Sequence, residues 1–203
     1  MCIRDRCVRN DVFLVSDEIH CDLILPGYEF TSVANLAPEY MDRCAICTAP
    51  SKTFNLAGFQ VSNIIIKNEE YRAKMQLSTG YFSLNLMAYK SCELVYDRCE
   101  AWLDELIQVI AVNKALVKDF MGKNFPQVHV FDLQGTYLQW MDFRRLGLNS
   151  EELERRTNES GVIFSQGYGF GEGGAGFERM NLACSTKALE KGLLRLMKYS
   201  HLQ

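Results

Sequence analysis

Thr48-Ala49-Pro50-Ser51-Lys52-Thr53-Phe54-Asn55 comes directly after the apolar run Cys44-Ala45-Ile46-Cys47. A short continuous apolar run bounded by turn residues is the pattern of a strand covered on both faces. Lys52 therefore emerges just past the C-terminal end of a buried strand. Upstream, Val12-Phe13-Leu14-Val15 is a second such run, and it ends in Ser16-Asp17-Glu18-Ile19-His20. An acid and an amine at the ends of two buried strands share one edge of an open α/β sheet, which is where such sheets bind ligands. A third run, Asn63-Ile64-Ile65-Ile66, closes at Lys67-Asn68.

Outward from these strands the period changes. Pro26-Gly27 is a turn signal, and residues 33–43 read as a loop with a short helix. Glu69–Leu77 reads as a helix. Ser83 is the expected cap of one long helix from about Leu84 to Gly122, with apolar residues at helical spacing throughout and Pro126 beyond its end. Val128–Phe131 and Thr136–Asp142 read as strands joined by a turn at Gln134-Gly135. Ser150 with Glu151 and Glu152 opens a helix, because acids suit the positive end of its dipole. Gly161–Phe164 is an expected strand, Gln166–Gly176 a glycine-rich loop, and Arg179–Ala183 a strand. Ser185 caps a final helix to about Tyr199. The pattern predicts two α/β parts with their boundary inside the long helix.

Composition fits an ordinary globular protein: 203 residues, 48% apolar and 23% charged. The net charge of -3 gives no footprint for nucleic acid or an anionic membrane. No apolar run approaches the roughly 18–20 residues of a membrane span. The eight cysteines sit mostly inside strand-like and helix-like segments, as small apolar fillers do. With no apolar signal region at the N-terminus, a reduced, cytoplasmic setting is expected. Cys44 and Cys47 form a lone Cys-x-x-Cys pair among only three histidines, so no metal site is expected.

Met1-Cys2-Ile3-Arg4-Asp5-Arg6 bears no relation to the sequence from Cys7 onward. Back-translated, these six residues resemble a transposase adaptor used in sequencing libraries. Natural sequence is expected to begin near Cys7, which would make the chain the C-terminal part of a longer protein.

Four residue types point to pyridoxal phosphate (PLP) chemistry. Lys52 is the amine to join the cofactor aldehyde, and the flanking Ser51 and Thr53 offer hydroxyls to its phosphate or ring. Asp17 is a carboxylate at a strand end, costly there unless paired with a cation, which a protonated pyridine nitrogen supplies. Glu18 points to the other face and reads as structural. His20 reaches the same side as Asp17, as a donor to the phenolic oxygen, if the chain leaves the strand there. Arg179 offers a planar fork that grips a substrate carboxylate through two hydrogen bonds. The glycine-rich loop before it lacks GxxxxGK[ST] and leads into a strand, so it is not read as a nucleotide cradle.

Ser16-Asp17-Glu18-Ile19-His20-Cys21-Asp22-Leu23, Thr48–Gly58, Gly135–Leu138 and Phe177–Cys184 together resemble the class I/II aminotransferase superfamily, the fold-type I PLP enzymes. Within it they are most similar to the MalY/PatB-type cystathionine β-lyases. The resemblance runs from about Cys7 to the C-terminus. It implies the C-terminal part of a PLP-dependent transferase large domain, a mainly parallel sheet with helices, over residues 7–110. A small α+β domain over 111–203 completes the implied fold. It also implies that Lys52 is the Schiff-base lysine, Asp17 the pyridinium partner, His20 the occupant of a usual tyrosine position, and Arg179 the α-carboxylate binder.

Two positions depart from the common aminotransferase pattern. Ala49 stands where serine is frequent, and Gln60 where a phosphate-binding arginine is frequent. Gln60 and His20 favour the lyase branch. The expected activity is β-elimination from an amino acid bearing a β-thiol leaving group, giving thiol, pyruvate and ammonia. The alternative is an aminotransferase using the same residues, and a further alternative is a non-catalytic regulatory module. A homodimer is the implied assembly, with Gly80-Tyr81-Phe82-Ser83-Leu84-Asn85 as the candidate contact. The resemblance places the phosphate loop and the ring-stacking aromatic in an N-terminal half that this sequence lacks, and the fragment alone is expected to be inactive.

Overall fold

The computed structural model describes residues 3–35, 38–80, 83–199 and 202. The chain divides into two compact units. One takes the chain up to Ile24 together with Glu29–Leu103. The other takes Leu25–Tyr28 and the chain from Asp104 onward.

The first unit opens with helix α1 (Ile3–Arg9), which runs across the junction expected near Cys7. Its end is closed by Val12, whose backbone N–H donates to the Cys7 carbonyl at 2.9 Å. That bond removes Val12 from the sheet, so β1 spans Leu14–Asp17 instead of starting at Val12. Helix α2 (Pro38–Met41) leads into β2 (Cys44–Thr48). Next come the short helix α3 (Pro50–Thr53) and β3 (Asn63–Ile66). β1 and β2 pair in parallel, with Asp17 opposite Cys47. β3 pairs antiparallel to β2, so among the described residues this three-stranded sheet joins one parallel and one antiparallel pair.

Only the central strand meets the expectation of burial on both faces. Cys44, Ala45 and Ile46 of β2 are buried, while Val15 of β1 is 60% exposed and Ile64 and Ile65 of β3 are 45% and 52% exposed. Period alone does not say whether anything covers an apolar run.

Helix α4 (Glu69–Thr79) is capped by Asn68, whose side chain accepts from the N–H groups of Glu70 and Tyr71. The expected single long helix is two: α5 (Leu86–Arg98), capped by Asn85 in place of Ser83, and α6 (Glu100–Asn124). No glycine or proline marks the break at Cys99, so the apolar period runs through it. The packing supplies the reason. Tyr96 and Trp102 both meet the ring of Phe54, with centroids at 5.7 and 5.9 Å. On one straight helix those positions would point roughly 120° apart.

The boundary between the two units falls within α6, between Leu103 and Asp104. In the second unit β4 (His129–Val130), β5 (Leu138–Asp142), β6 (Ser165–Gln166) and β7 (Phe177–Asn181) form an antiparallel sheet in the order β4-β5-β7-β6. Helix α7 (Ser150–Glu159) is capped by Asn149, and α8 spans Thr186–Tyr199. Strand alternation is sharp: Gln139, Met141, Glu178 and Met180 face the core. Against them lie Ile110, Val117 and Met121 of α6, Leu153 of α7, and Leu189, Leu193 and Leu196 of α8. Asn113 of α6, fully buried, donates to the carbonyls of Leu182 and Cys184, both at 2.9 Å. Leu25–Tyr28 is held to this unit by Leu25 N–H to the Gln134 carbonyl (3.0 Å) and Tyr28 hydroxyl to Asp132 (2.5 Å). Lys114 secures the same corner through Asp132 at 2.8 Å.

Candidate active site

Asp17 is the last residue of β1, and Lys52 lies in α3, the turn of helix just after β2. Because β1 and β2 run parallel, both residues leave the same edge of the sheet, and both side chains are exposed. The local sequence explains the Lys52 turn. Ala49 is fully extended (φ -161°, ψ 149°), and Pro50 occupies the first helical position, where its missing N–H costs nothing. Asn55 then takes a left-handed conformation (φ 55°), which asparagine tolerates. Ser51 is half-buried beside Lys52.

The chain leaves β1 directly after Asp17, as His20 requires. Asp17 accepts from the Ile19 N–H at 3.2 Å, and Cys21 N–H donates back to the Glu18 carbonyl at 2.9 Å. This turn puts half-buried His20 past the same strand end. Glu18 is structural, as expected. It is buried and accepts from the Ser16 hydroxyl, the Ser32 hydroxyl and the Val33 N–H, at 3.0, 2.8 and 2.8 Å.

Thr53 corrects an expectation. Its hydroxyl is fully buried and donates to Asp22 at 2.8 Å, so it is turned away from any phosphate or ring. Asp22 is a hub that sequence reasoning missed. Burial and the nearby Asp22 carboxylate push the Cys21 thiol up to about 11, and the same two causes push Tyr96 above the ordinary tyrosine range. Asp22 thus ties the Lys52 turn to the loop after β1. The available signal was the pairing of a second acid just after His20 with a hydroxyl residue just after Lys52. Gln60, at the position that departs from the common pattern, is exposed with φ 55° and ends a 3-10 turn (Ala57–Phe59).

Arg179 belongs to the second unit. It lies mid-strand in β7 and does not begin it, between Trp140 of β5 and Ser165 of β6. Its Nη2 lies 3.4 Å from the Ser165 hydroxyl, while its Nε is buried without a hydrogen-bond partner. The expected strand at Gly161–Phe164 is displaced to Ser165–Gln166. Gly161, at φ 74°, closes the end of α7 through its N–H to Asn158. The glycine-rich loop is not open chain: it folds into two 3-10 turns, Gly167–Phe170 and Glu172–Gly174.

Within the first unit, Asp17 and Lys52 thus set a carboxylate and an amine at adjacent ends of parallel strands, and within the second, Arg179 carries a buried N–H without an acceptor. Residues 2–196 match the aminotransferase class I and II family. The chain belongs to that family. It is 41% identical over 194 residues to cystathionine beta-lyase PatB of Bacillus subtilis (strain 168), covering 94% of this chain and 50% of PatB. It is 31% identical to protein MalY of Escherichia coli (strain K12), covering 95% of this chain and 50% of MalY. The crystal structure of cystalysin from Treponema denticola, which contains a pyridoxal 5'-phosphate cofactor, superposes with a TM-score of 0.92 at 43% identity. That match covers 97% of this chain and 51% of cystalysin. The chain thus spans about half the length of the curated relatives it matches. The small antiparallel sheet after α6 and the parallel β1–β2 pair both lie within the residues matched to the family.

Of the candidate interface segment Gly80–Asn85, Tyr81 and Phe82 lie outside the described residues. Among the described residues, no helix is long and apolar enough to cross a membrane.

Proposed function

We propose that this chain carries the lysine-bearing part of a PLP-dependent carbon–sulfur β-lyase. The observation that carries the reading is the shared exit of Asp17 and Lys52 from one edge of a parallel strand pair. Likeness to PatB and cystalysin supports it. The donor set fits the cofactor. Asp17 would hold the proton on the pyridine nitrogen, Lys52 would supply the amine to its aldehyde, His20 would face the phenolic oxygen, and Ser51 would offer a hydroxyl to the phosphate. When bound, pyridoxal phosphate supplies the sink for the electron pair released at the substrate's Cα. Lys52 Nζ takes the Cα proton as general base. Arg179 grips the α-carboxylate and so fixes which Cα bond is aligned for cleavage. The Cβ–S bond then breaks with its electrons on sulfur, which takes up a proton, and one water supplies the oxo oxygen of pyruvate as ammonia leaves, so the products are thiol, pyruvate and ammonia.

The substrate class is an amino acid with a β-thiol leaving group, such as cystathionine or a cysteine S-conjugate. The assembly is a homodimer in the cytoplasm, a setting in which the free cysteines stay reduced. The domain division belongs to the same proposal: residues 7–110 to a large cofactor domain, 111–203 to a small one, and 1–6 to a non-native, adaptor-derived segment.

The test uses the polypeptide as its gene encodes it. Pyruvate release from cystathionine without any added 2-oxo acid is expected, and Lys52→Ala should abolish it. A product that forms only when a 2-oxo acid acceptor is added would make the protein an aminotransferase, the reading favoured by the family's name.

A further inference from the structure

We infer that Phe170 is the positioning residue that holds Arg179 ready for a carboxylate. The inference rests on the reading of Arg179 as the carboxylate binder. Phe170 is 57% exposed, so burial gives it little reason to be aromatic. Yet its ring is tightly placed. The Arg179 guanidinium lies over it at 4.4 Å, and Trp140, the cross-strand neighbour of Arg179, meets it edge-on at 5.7 Å and 72°. Trp140 is in turn stacked on Phe177 at 5.5 Å and 17°. Phe177, Arg179 and Trp140 share the sheet face opposite the core, and Phe170 is the one member supplied by the loop.

The loop is built to hold that ring. Gly167 and Gly174 press backbone on backbone, and a Cβ on either would overlap the other's carbonyl oxygen. Gly171 sits at φ 120°, and its N–H donates to the Tyr168 carbonyl at 3.2 Å. The Tyr168 hydroxyl donates to Glu154 of α7 at 2.7 Å. The loop therefore delivers Phe170 as a fixed wall.

The consequence for Arg179 is chemical. One face of the planar guanidinium is occupied by the ring, Nη2 approaches Ser165, and Nε is buried with no acceptor. A dry N–H without an acceptor is costly and is relieved by a ligand oxygen. Ring attraction holds the cation in one plane, so the fork meets a carboxylate without first being ordered.

The test compares Phe170→Leu, which keeps apolar bulk but loses the π face, with Phe170→Tyr, which keeps it. Arg179→Lys is the control. All are made in the polypeptide as its gene encodes it, on a background in which Trp140 is the one tryptophan kept, so that it reports the site. The probe is propionate against propionamide, tracked by Trp140 fluorescence, together with kcat and KM for the amino-acid substrate. Phe170→Leu is expected to weaken propionate binding and raise KM by about 3- to 30-fold. Propionamide binding and kcat should hold within about twofold, and Phe170→Tyr should match the parent. Parent-like propionate binding in Phe170→Leu, with loss in Arg179→Lys, overturns the role of Phe170. Unchanged discrimination of propionate from propionamide in Arg179→Lys overturns the reading of Arg179 itself.

Discussion

Replacing Glu178 with glutamine should stabilise the second unit at neutral pH, although it removes a native charge. Glu178 lies in β7, fully buried, with neither carboxylate oxygen hydrogen-bonded. Burial is the chief cause that pushes its carboxyl from 4.5 up to about 8. The Glu154 carboxylate adds to the rise, and the Gln166 amide opposite on β6 opposes it without completing a hydrogen bond. The native unit therefore keeps a proton at pH 7 that the unfolded chain releases. A raised folded value means stability is fully present below about 4.5 and is lost as pH rises toward about 8. One proton changes stability by about 1.4 kcal/mol per pH unit within that window. From 4.5 to 7 the ceiling is about 3 kcal/mol, and residual solvent screening brings the expectation to about 1–3 kcal/mol. Glutamine cannot titrate, so Glu178→Gln should match the parent near pH 4.5 and exceed it by that amount at pH 7. Urea unfolding at several pH values, monitored by Trp140 fluorescence on a Trp102→Phe background, measures both slopes. Parallel slopes for parent and variant would refute the buried-proton argument.

Thr53→Val removes the donor to Asp22 while keeping shape. A loss of about 1.5–3 kcal/mol in the first unit is expected in urea unfolding read from Trp102 on a Trp140→Phe background. Asn113→Ala strips the buried Leu182 carbonyl and the part-buried Cys184 carbonyl of their donor and should cost about 2–4 kcal/mol in the second unit by the Trp140 readout. Gly174→Ala must separate the Gly167–Gly174 backbone contact and should cost about 1–3 kcal/mol or more. It should also blue- or red-shift Trp140 emission by moving Phe170, and an unchanged spectrum would count against the loop as a fixed wall.

The positions of Asp17, His20 and Lys52 were legible because strand ends are marked by abrupt loss of the apolar run. Arg179 was legible as a residue but not in its setting. Its strand begins at Phe177, and the glycines before it read as slack because sequence does not reveal that two of them interlock. The break at Cys99 was invisible for a related reason: it is set by Phe54, distant in sequence, and not by any local helix breaker. Asp22 was missed because a hydrogen bond across 31 positions leaves no periodic trace. β1 and β3 are exposed in a chain that spans about half of its relatives' length, and an apolar run does not record which part of a polypeptide covers it.

That last feature governs how the chain behaves in a tube. Among the described residues β3 is an edge of its sheet, and Asn63-Ile64-Ile65-Ile66 presents a row of backbone donors and acceptors beside two exposed isoleucines. β1, at the other edge, adds Val15. Such an edge is a template on which any extended apolar segment can register, including the same segment of a second molecule. In a polypeptide of this span alone, about half the length of its relatives, self-association along these edges would compete with folding as concentration rises. Ile65→Lys, at a half-exposed position of that edge, should weaken such self-association, read by the concentration dependence of light scattering.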